Sequence, residues 1–395
     1  MFRSAIVKLT SVCNINCRYC YMFNQLDQTH SRVPPKMAPS IALQLLDRIC
    51  AYSPPGDPQP FSIVLHGGEP LLWNESHLIG WLAQVEQRRK QGWNLDVAIQ
   101  TNLIRPLSSP LVDALHRHRI SLGISLDGPR ETHDSQRVDH LGRGTYERVM
   151  ASVEKLVASG DDALIGGFLS VANPSVAPAD YLQWVRTLPV TRVDVLWPME
   201  FNWRNPPWGV FSRRQYEQFP RYGSWFAALF EAWWRHDDPA LQIRLFNNLL
   251  QVWLGGGEHI DALVNDCYDM FVVNTDGGIE YPDYLRNAAD GSARTPFNVM
   301  RHGLSELHDD EVFHRLLNLK QSCPAKCLTC RHRAICGGGF LPGRSDPQQL
   351  ISSRESVLCA DQMHFFDRAI RIIQQALQQR GEYEYSDGSA TSHAR

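Results

Sequence analysis

Three cysteines near the amino terminus constrain this chain more than any other feature. Cys13, Cys17 and Cys20 follow an apolar, strand-like run at residues 5–9, so their thiols should project from a loop that ends a first strand. Soft thiolates suit iron–sulfur clusters or zinc. A structural zinc site is closed and needs four ligands, whereas a [4Fe–4S] cluster held by three thiolates leaves one iron open. A zinc site completed elsewhere and a chance grouping are the alternatives.

Composition narrows the class of protein. The chain has 395 residues, 43% of them hydrophobic, and a net charge of −3, which gives no electrostatic case for binding nucleic acid or an anionic membrane. The apolar runs are too short for a transmembrane helix, and the first residues lead directly into a strand rather than a signal peptide. Ten cysteines in such a chain favour metal or redox chemistry over disulfides. We expect a cytoplasmic protein.

Short β-like runs alternate with amphipathic helical stretches, such as residues 41–49, over the first two hundred positions. After the first strand, the later strands are expected at residues 61–65, 96–99, 121–125, 165–169 and 193–196. Such alternation predicts a parallel sheet with crossover helices. Six β/α units fit an incomplete (β/α)6 barrel of the TIM type. Functional residues collect at the carboxyl ends of the strands in such barrels.

Polar and glycine residues follow the strands at those ends. A strand that runs into Gly-Gly exposes backbone that a ligand can approach closely. Asp127 precedes Gly-Pro, so a turn role and a binding role stay open. For His66, packing and catalysis stay open in the same way. The residues at these ends are Gly67, Gly68, Glu69, Pro70, Gln100, Asn102, Ser125 and Asp127, and Arg137 follows in the next helical stretch.

The first cysteine motif, C-x3-C-x-aromatic-C with Tyr19 as the aromatic, resembles the signature of the radical S-adenosylmethionine (radical SAM) family. The resemblance implies that S-adenosylmethionine binds the open iron and is cleaved to a 5′-deoxyadenosyl radical, which removes a hydrogen atom from the substrate. It assigns residues 67–70 to the methionine amino group of the cofactor. It also places Ser125 and Asp127 at the cofactor's carboxylate or ribose, with Arg137 as a carboxylate partner and Arg143 as its competitor.

A second cysteine group lies in the carboxyl-terminal third. Residues 272–283 predict a hairpin with Asp-Gly-Gly at the turn, and C-x2-C-x5-C follows at Cys327, Cys330 and Cys336. A zinc ribbon is one interpretation. The group otherwise resembles the SPASM extension, which carries two auxiliary [4Fe–4S] clusters. The resemblance makes Cys359 the fourth ligand of one complete cluster.

The ligands of the other auxiliary cluster are incomplete. Cys267 and Cys323 match the resemblance, but Asp283 and Phe340 stand where cysteines are usual. We expect two or three [4Fe–4S] clusters in the chain, with Asp283 as an oxygen ligand if the altered cluster is present. The alternatives are that this cluster is absent, and that Asp283 ends the hairpin or serves as a base toward the substrate.

Residues 336–344 and 282–286 resemble the corresponding segments of enzymes that build cyclophane cross-links in ribosomally made peptides. This resemblance implies a ribosomally made precursor peptide as substrate and a flavodoxin- or ferredoxin-type reductant. The leader of that peptide is expected to dock on the barrel, the bridge or a separate protein. The alternatives are oxidation of Cys or Ser to formylglycine, as in anaerobic sulfatase maturases, thioether formation, and a non-catalytic iron–sulfur or zinc protein.

The expected domains are the barrel over residues 1–212, a helical bridge over 213–265, the SPASM unit over 266–365, and a final helix with a disordered tail over 366–395. Residues 197–208 form a loop rich in aromatic residues and proline after the sixth strand. That loop either lines a peptide channel or ties the barrel to the parts that follow.

Overall fold

A computed structural model describes residues 1–256, 262–264, 268–346 and 348–379. The strands are β1 (Ser4–Thr10), β2 (Phe61–Gly67), β3 (Leu95–Thr101), β4 (Ser121–Ser125), β5 (Ile165–Val171), β6 (Arg192–Leu196), β7 (Gln242–Ile243), β8 (Met270–Val273), β9 (Gly278–Glu280) and β10 (Arg294–Asn298). The predicted disordered tail at residues 384–395 lies outside the described part of the chain.

Helices alternate with the first six strands and then dominate the later part. They are α1 (Pro39–Tyr52), α2 (Glu75–Lys90), α3 (Ser109–His118), α4 (Arg130–Gln136), α5 (Tyr146–Ala158), α6 (Pro178–Val185), α7 (Arg213–Gln218), α8 (Arg221–His236), α9 (Arg244–Trp253), α10 (Glu311–Leu317), α11 (Ala325–Leu328), α12 (Arg333–Cys336) and α13 (Cys359–Gln379). Within the described ranges, no helix is both long and apolar enough to span a membrane.

The six predicted strands are parallel neighbours in chain order, β1 to β6, so the predicted α/β barrel sheet is confirmed. Alternation of side chains along each strand explains the layering. On β2, Phe61, Ile63 and Leu65 are fully buried, while the residues between them are only partly buried. The parallel order brings the carboxyl ends of all six strands to the same edge, which is where the polar motifs follow.

The predicted hairpin is also confirmed, as β8 and β9. Sequence alone did not reveal its neighbour: β8 pairs with β1 in parallel, with Val273 opposite Val7. The hairpin therefore extends the barrel sheet rather than starting a separate one. Short 3-10 turns follow, among them Asp283–Asn287 directly after β9.

Aromatic residues join the barrel to the helices behind it. Phe226 and Phe230 on α8 are fully buried against Phe365 on α13. Trp197, which follows β6, packs on Phe226 with ring centroids 4.2 Å apart. The predicted helical stretch after residue 213 is interrupted by β7, which pairs with β6. This aromatic packing fixes the loop after β6 at the mouth of the barrel.

Candidate active site

Three thiols line one cavity at the carboxyl edge of the sheet. Cys13, Cys17 and Cys20 lie on the loop after β1, and backbone hydrogen bonds to the segment after α4 hold that loop, including Asn16 N–H to Val138 O at 2.7 Å. Burial raises the pKa of Cys13 to about 12 and that of Cys17 to about 11. Buried thiolates need a cation to offset their charge, so this donor set fits a metal cluster held by three sulfurs.

The cysteine loop packs directly on the two glycines after β2. A Cβ atom on Gly68 would lie 2.1 Å from the Val12 carbonyl oxygen, and one on Gly67 would lie 2.4 Å from that of Thr10. Gly67 also has a positive φ of 136°. Only glycine fits at these two positions, because any side chain would push the cysteine loop out of place.

Glu69 forms a second wall of the cavity. Its carboxylate accepts hydrogen bonds from the Thr101 hydroxyl at 2.6 Å and the Asn102 backbone N–H at 2.9 Å. Burial is the largest effect on this group and raises its pKa to about 6. Pro70 then starts a 3-10 turn that carries the chain away from the cavity. The Asn102 amide nitrogen also lies 3.6 Å from Cys13 Sγ, which links this wall to the thiols.

Gln100 and Ser125 line the cavity from the ends of β3 and β4. The Gln100 side-chain amide donates a hydrogen bond to the Ser125 hydroxyl at 2.8 Å. Both groups therefore present polar atoms to a bound molecule while keeping one another oriented.

Asp127 lies behind the cavity wall rather than in it. Its carboxylate accepts hydrogen bonds from Arg137 Nε at 2.9 Å and from the Tyr19 hydroxyl, and Arg137 and Tyr19 are the residues that line the cavity. Asp127 is therefore not among the residues that line the cavity, and it orients two residues that are. Arg143 is largely exposed and pairs with Asp139 at 2.7 Å, away from the cavity.

Two cations and a hydroxyl hold both carboxylate oxygens of Asp283. Lys8 Nζ lies 2.5 Å from one carboxylate oxygen, Arg286 Nε lies 3.0 Å from the same oxygen, and the Tyr21 hydroxyl donates to the other at 2.8 Å. The positive charges of Lys8 and Arg286 outweigh the effect of burial and hold the pKa of Asp283 at about 2. Because both carboxylate oxygens of Asp283 already have partners, neither is free to bind iron as was expected.

Four other thiols line a second cavity. These are Cys327 on α11, Cys330, Cys336 on α12 and Cys359 at the start of α13. Cys323 does not line this cavity, and Cys267 lies outside the described residues. Phe340 packs on Tyr284 with ring centroids 6.1 Å apart, so an aromatic contact fills the position where a further cysteine was expected. The four-thiol set fits a fully ligated cluster.

Comparison with known proteins identifies the first cavity. Residues 7–169 match the radical SAM superfamily. The chain is a radical SAM enzyme. Enzymes of this family use a [4Fe–4S] cluster and S-adenosylmethionine, and Cys13, Cys17 and Cys20 are the thiols that fit the cluster.

Similarity to individual proteins extends over nearly the whole radical SAM enzyme. It is 22% identical to the cysteine-type anaerobic sulfatase-maturating enzyme of Clostridium novyi (strain NT), over 91% of this chain and 93% of that protein. Among solved structures, native anSMEcpe with bound AdoMet superposes with a TM-score of 0.78 at 19% identity, over 95% of this chain and 99% of that one. Streptococcus suis SuiB bound to precursor peptide SuiA gives 0.55 at 14% identity, over 91% and 76%.

Two residues that line the radical SAM cavity were missed from the sequence. Tyr21 lies one position after the last cysteine of the motif, and Glu200 lies in the loop after β6. Burial raises the pKa of Glu200, and no other described residue hydrogen-bonds its carboxylate. The available signal was the position of Glu200 beyond a strand's carboxyl end, where barrel enzymes place functional groups. His66 lines the same cavity beside Gly67.

Proposed function

We propose that this radical SAM enzyme is a peptide maturase, which removes a hydrogen atom from a precursor-peptide side chain and closes an intramolecular, cyclophane-type C–C cross-link. The pairing of a three-thiol cavity with a separate four-thiol cavity carries the proposal, because the first can bind a cofactor at an open iron and the second cannot. A fully ligated centre suits electron transfer. Two clusters follow, hence ~8 irons per chain.

The proposed reaction removes two hydrogens from the peptide. When bound, the two clusters and S-adenosylmethionine supply the radical that takes one hydrogen atom and the acceptor for the electron that leaves after the new bond forms. The second hydrogen leaves the aromatic ring as a proton, which needs a base in the cavity. The remaining groups of the wall orient the peptide and exclude water, since the radical attacks the carbon held closest to it.

Glu200 is the base that we assign to that proton. It lines the cavity, burial raises its pKa, and its carboxylate is not held by a cation in the described part of the chain. Asp283, the base suggested by the sequence, is less suited, because a carboxylate with a pKa of about 2 is a weak proton acceptor. Asp283 instead holds the hydroxyl of Tyr21 at the cavity wall.

A second candidate is oxidation of a Cys or Ser side chain to formylglycine. It is favoured by the names of the sulfatase-maturating relatives, which match over most of their length. Asp283 and Phe340 count against it, since they occupy positions where the resemblance expects cysteines, and here they form an ion-pair network and an aromatic contact. The SuiB structure, which contains its precursor peptide, is a further support for a peptide substrate.

The two candidates differ in their products. The enzyme is reconstituted anaerobically, reduced with dithionite and given S-adenosylmethionine with either the peptide encoded beside the gene or a cysteine peptide from a sulfatase. Cross-linking removes two hydrogens and leaves no aldehyde, whereas formylglycine reacts with a hydrazide probe. An aldehyde on the sulfatase peptide, with the neighbouring peptide unchanged, would replace the first proposal by the second.

The Glu200→Gln variant tests the base. It should still release 5′-deoxyadenosine in the presence of peptide, because hydrogen-atom removal precedes the proton transfer, but it should form little cross-link. Glu200→Asp should recover part of the product. Equal product from Glu200→Gln and the unaltered enzyme would mean that another residue is the base.

For electron supply we propose a flavodoxin- or ferredoxin-type reductant. We propose the cytoplasm as the compartment.

A further inference from the structure

Arg344 is a fully buried cation that lacks a carboxylate partner among the described residues. Its side chain has no exposed surface, and only Nη2 is hydrogen-bonded, to the carbonyl oxygens of Ser322 at 2.6 Å and Ser352 at 3.0 Å. Nε and Nη1 have no hydrogen-bond partner in the described chain. Two carbonyl dipoles do not neutralise a buried guanidinium.

The other deeply buried arginine shows what such a charge normally requires. Arg286 is 1% exposed and pairs with Asp27, Glu280 and Asp283, so carboxylates neutralise it. Burying a charge without a partner costs several kcal/mol, and an unsatisfied buried donor adds a further penalty. The contrast implies that Arg344 faces an anion that is not a carboxylate.

Gly338 lies between the Nη1 atom of Arg344 and the sulfur of Cys323, and neither unpaired nitrogen of Arg344 hydrogen-bonds a cysteine of the described chain. If Gly338 carried a Cβ atom, that atom would lie 3.6 Å from Arg344 Nη1 and 3.4 Å from Cys323 Sγ. Burial lowers the pKa of Arg344, and the nearby Tyr268, Cys323 and Cys327 side chains oppose that shift, Tyr268 most of all. Cys327 is one of the four thiols of the second cavity, which Gly338 also lines. The guanidinium thus lies next to Gly338, one residue that lines the cavity of the proposed auxiliary centre.

We propose that Arg344 is the positioning cation of the auxiliary [4Fe–4S] centre and sets its reduction potential. The unpaired N–H groups are available to donate hydrogen bonds to sulfur, and the positive charge favours the more negative, reduced form of the cluster. Hydrogen bonds to sulfur and local charge are the means by which proteins tune such potentials. The inference rests on the proposed function for its purpose, since a raised potential helps this centre accept the electron that leaves the peptide.

The test is a redox titration followed by electron paramagnetic resonance on the full-length, iron-loaded enzyme. The signal of the auxiliary centre is identified by its persistence in the Cys13→Ala/Cys17→Ala/Cys20→Ala variant. Arg344→Gln, which removes the charge, should lower the potential of that signal, and Arg344→Lys should leave it nearer the starting value. Arg333→Ala is the control, because Arg333 lines the four-thiol cavity but is exposed, so water screens its charge and the shift should be smaller.

Iron analysis accompanies each titration. An Arg344→Gln protein with full iron and an unchanged potential would overturn the proposal. If Arg344→Gln loses iron, the test uses Arg344→Lys instead. The resonance Raman bands of the Fe–S(Cys) bonds should shift less in D2O for Arg344→Lys than for the unaltered enzyme. Equal shifts would overturn the proposal. If the triple-alanine variant contains no iron, the auxiliary cluster does not exist. That result would contradict the proposed function, and it differs from an unchanged potential.

Discussion

The ammonium of Lys8 on β1 lies 2.5 Å from the carboxylate of Asp283, 275 positions later in the chain. Both side chains are buried, and Arg286 and the Tyr21 hydroxyl complete the contacts of Asp283. Pairing of β8 with β1 creates this proximity. The ion pair therefore ties the hairpin after the helical bridge to the first strand, directly below the loop that carries the three cysteines.

Replacing Asp283 by Asn should destabilise the protein by about 3–5 kcal/mol, because it leaves buried Lys8 and Arg286 with less compensating charge. Iron content should stay the same, since we assign no iron to Asp283. Iron analysis and anaerobic thermal unfolding check both points. Asp290→Asn is the control, because Asp290 pairs with Arg32 at an exposed site and should have little effect. Lost iron in Asp283→Asn would instead support ligation.

The same substitution should show a defined pH dependence. The pKa of Asp283 is lowered from 3.8 to about 2 in the folded protein, so its stabilisation is fully present above pH ~4 and is lost as the pH falls toward 2. The difference in unfolding temperature between the unaltered enzyme and Asp283→Asn should therefore be constant between pH 6 and 8. A gap that changes steadily over this range would mean that Asp283 or its partner Lys8, whose pKa burial lowers, titrates there.

Gly68→Ala should damage the three-cysteine site without unfolding the barrel. The new Cβ would meet the Val12 carbonyl oxygen at 2.1 Å, which displaces the cysteine loop. We expect loss of up to ~4 irons per chain and a matching loss of 5′-deoxyadenosine release. Gly80→Ala on α2 is the control, because its Cβ would meet no atom within 4 Å, and alanine should stabilise the helix by about 0.5–1 kcal/mol. Full iron in Gly68→Ala would contradict the packing argument.

Two cysteine substitutions should separate the second cavity from its neighbour. Cys359→Ser removes one of the four thiols that line the cavity and should lower the iron content by up to one cluster. Cys323→Ser should retain its iron, because Cys323 lies outside that lining. Product formation should fall in Cys359→Ser more than cofactor cleavage does. Equal iron loss in both variants would indicate that Cys323 also serves as a ligand.

Replacing Cys13, Cys17 and Cys20 together by alanine should abolish cofactor cleavage and leave the barrel folded. The fully buried core of β1 and β2 is built from other residues, such as Ala5 and Ile63, so its packing is kept. Release of 5′-deoxyadenosine should fall to the level without enzyme, while circular dichroism stays unchanged. Residual release above that level would mean that another site holds the open cluster.

The sequence by itself determined the order of the six strands and the family. Alternation along strands such as β2 depends on neighbours two positions apart, and the C-x3-C-x2-C motif keeps its ligands within one short loop. Gly67 and Gly68 could be predicted as a pair for the same reason, since Gly67 ends β2 and Gly68 follows it. Local spacing is enough wherever the interacting residues are close in the chain.

Only the tertiary structure decided which partners the charged residues find far away in the sequence. Asp283 could be a ligand, a base or a hairpin residue until β8 paired with β1 and placed it against Lys8. Asp127, Arg137 and Tyr19 were all predicted near the cofactor, and only the fold placed Asp127 behind the other two. The segment 336–344 ends in Arg344, but the sequence does not show that burial leaves the charge of this arginine unmatched. Desolvation depends on every element packed around a group, and spacing along the chain does not encode it.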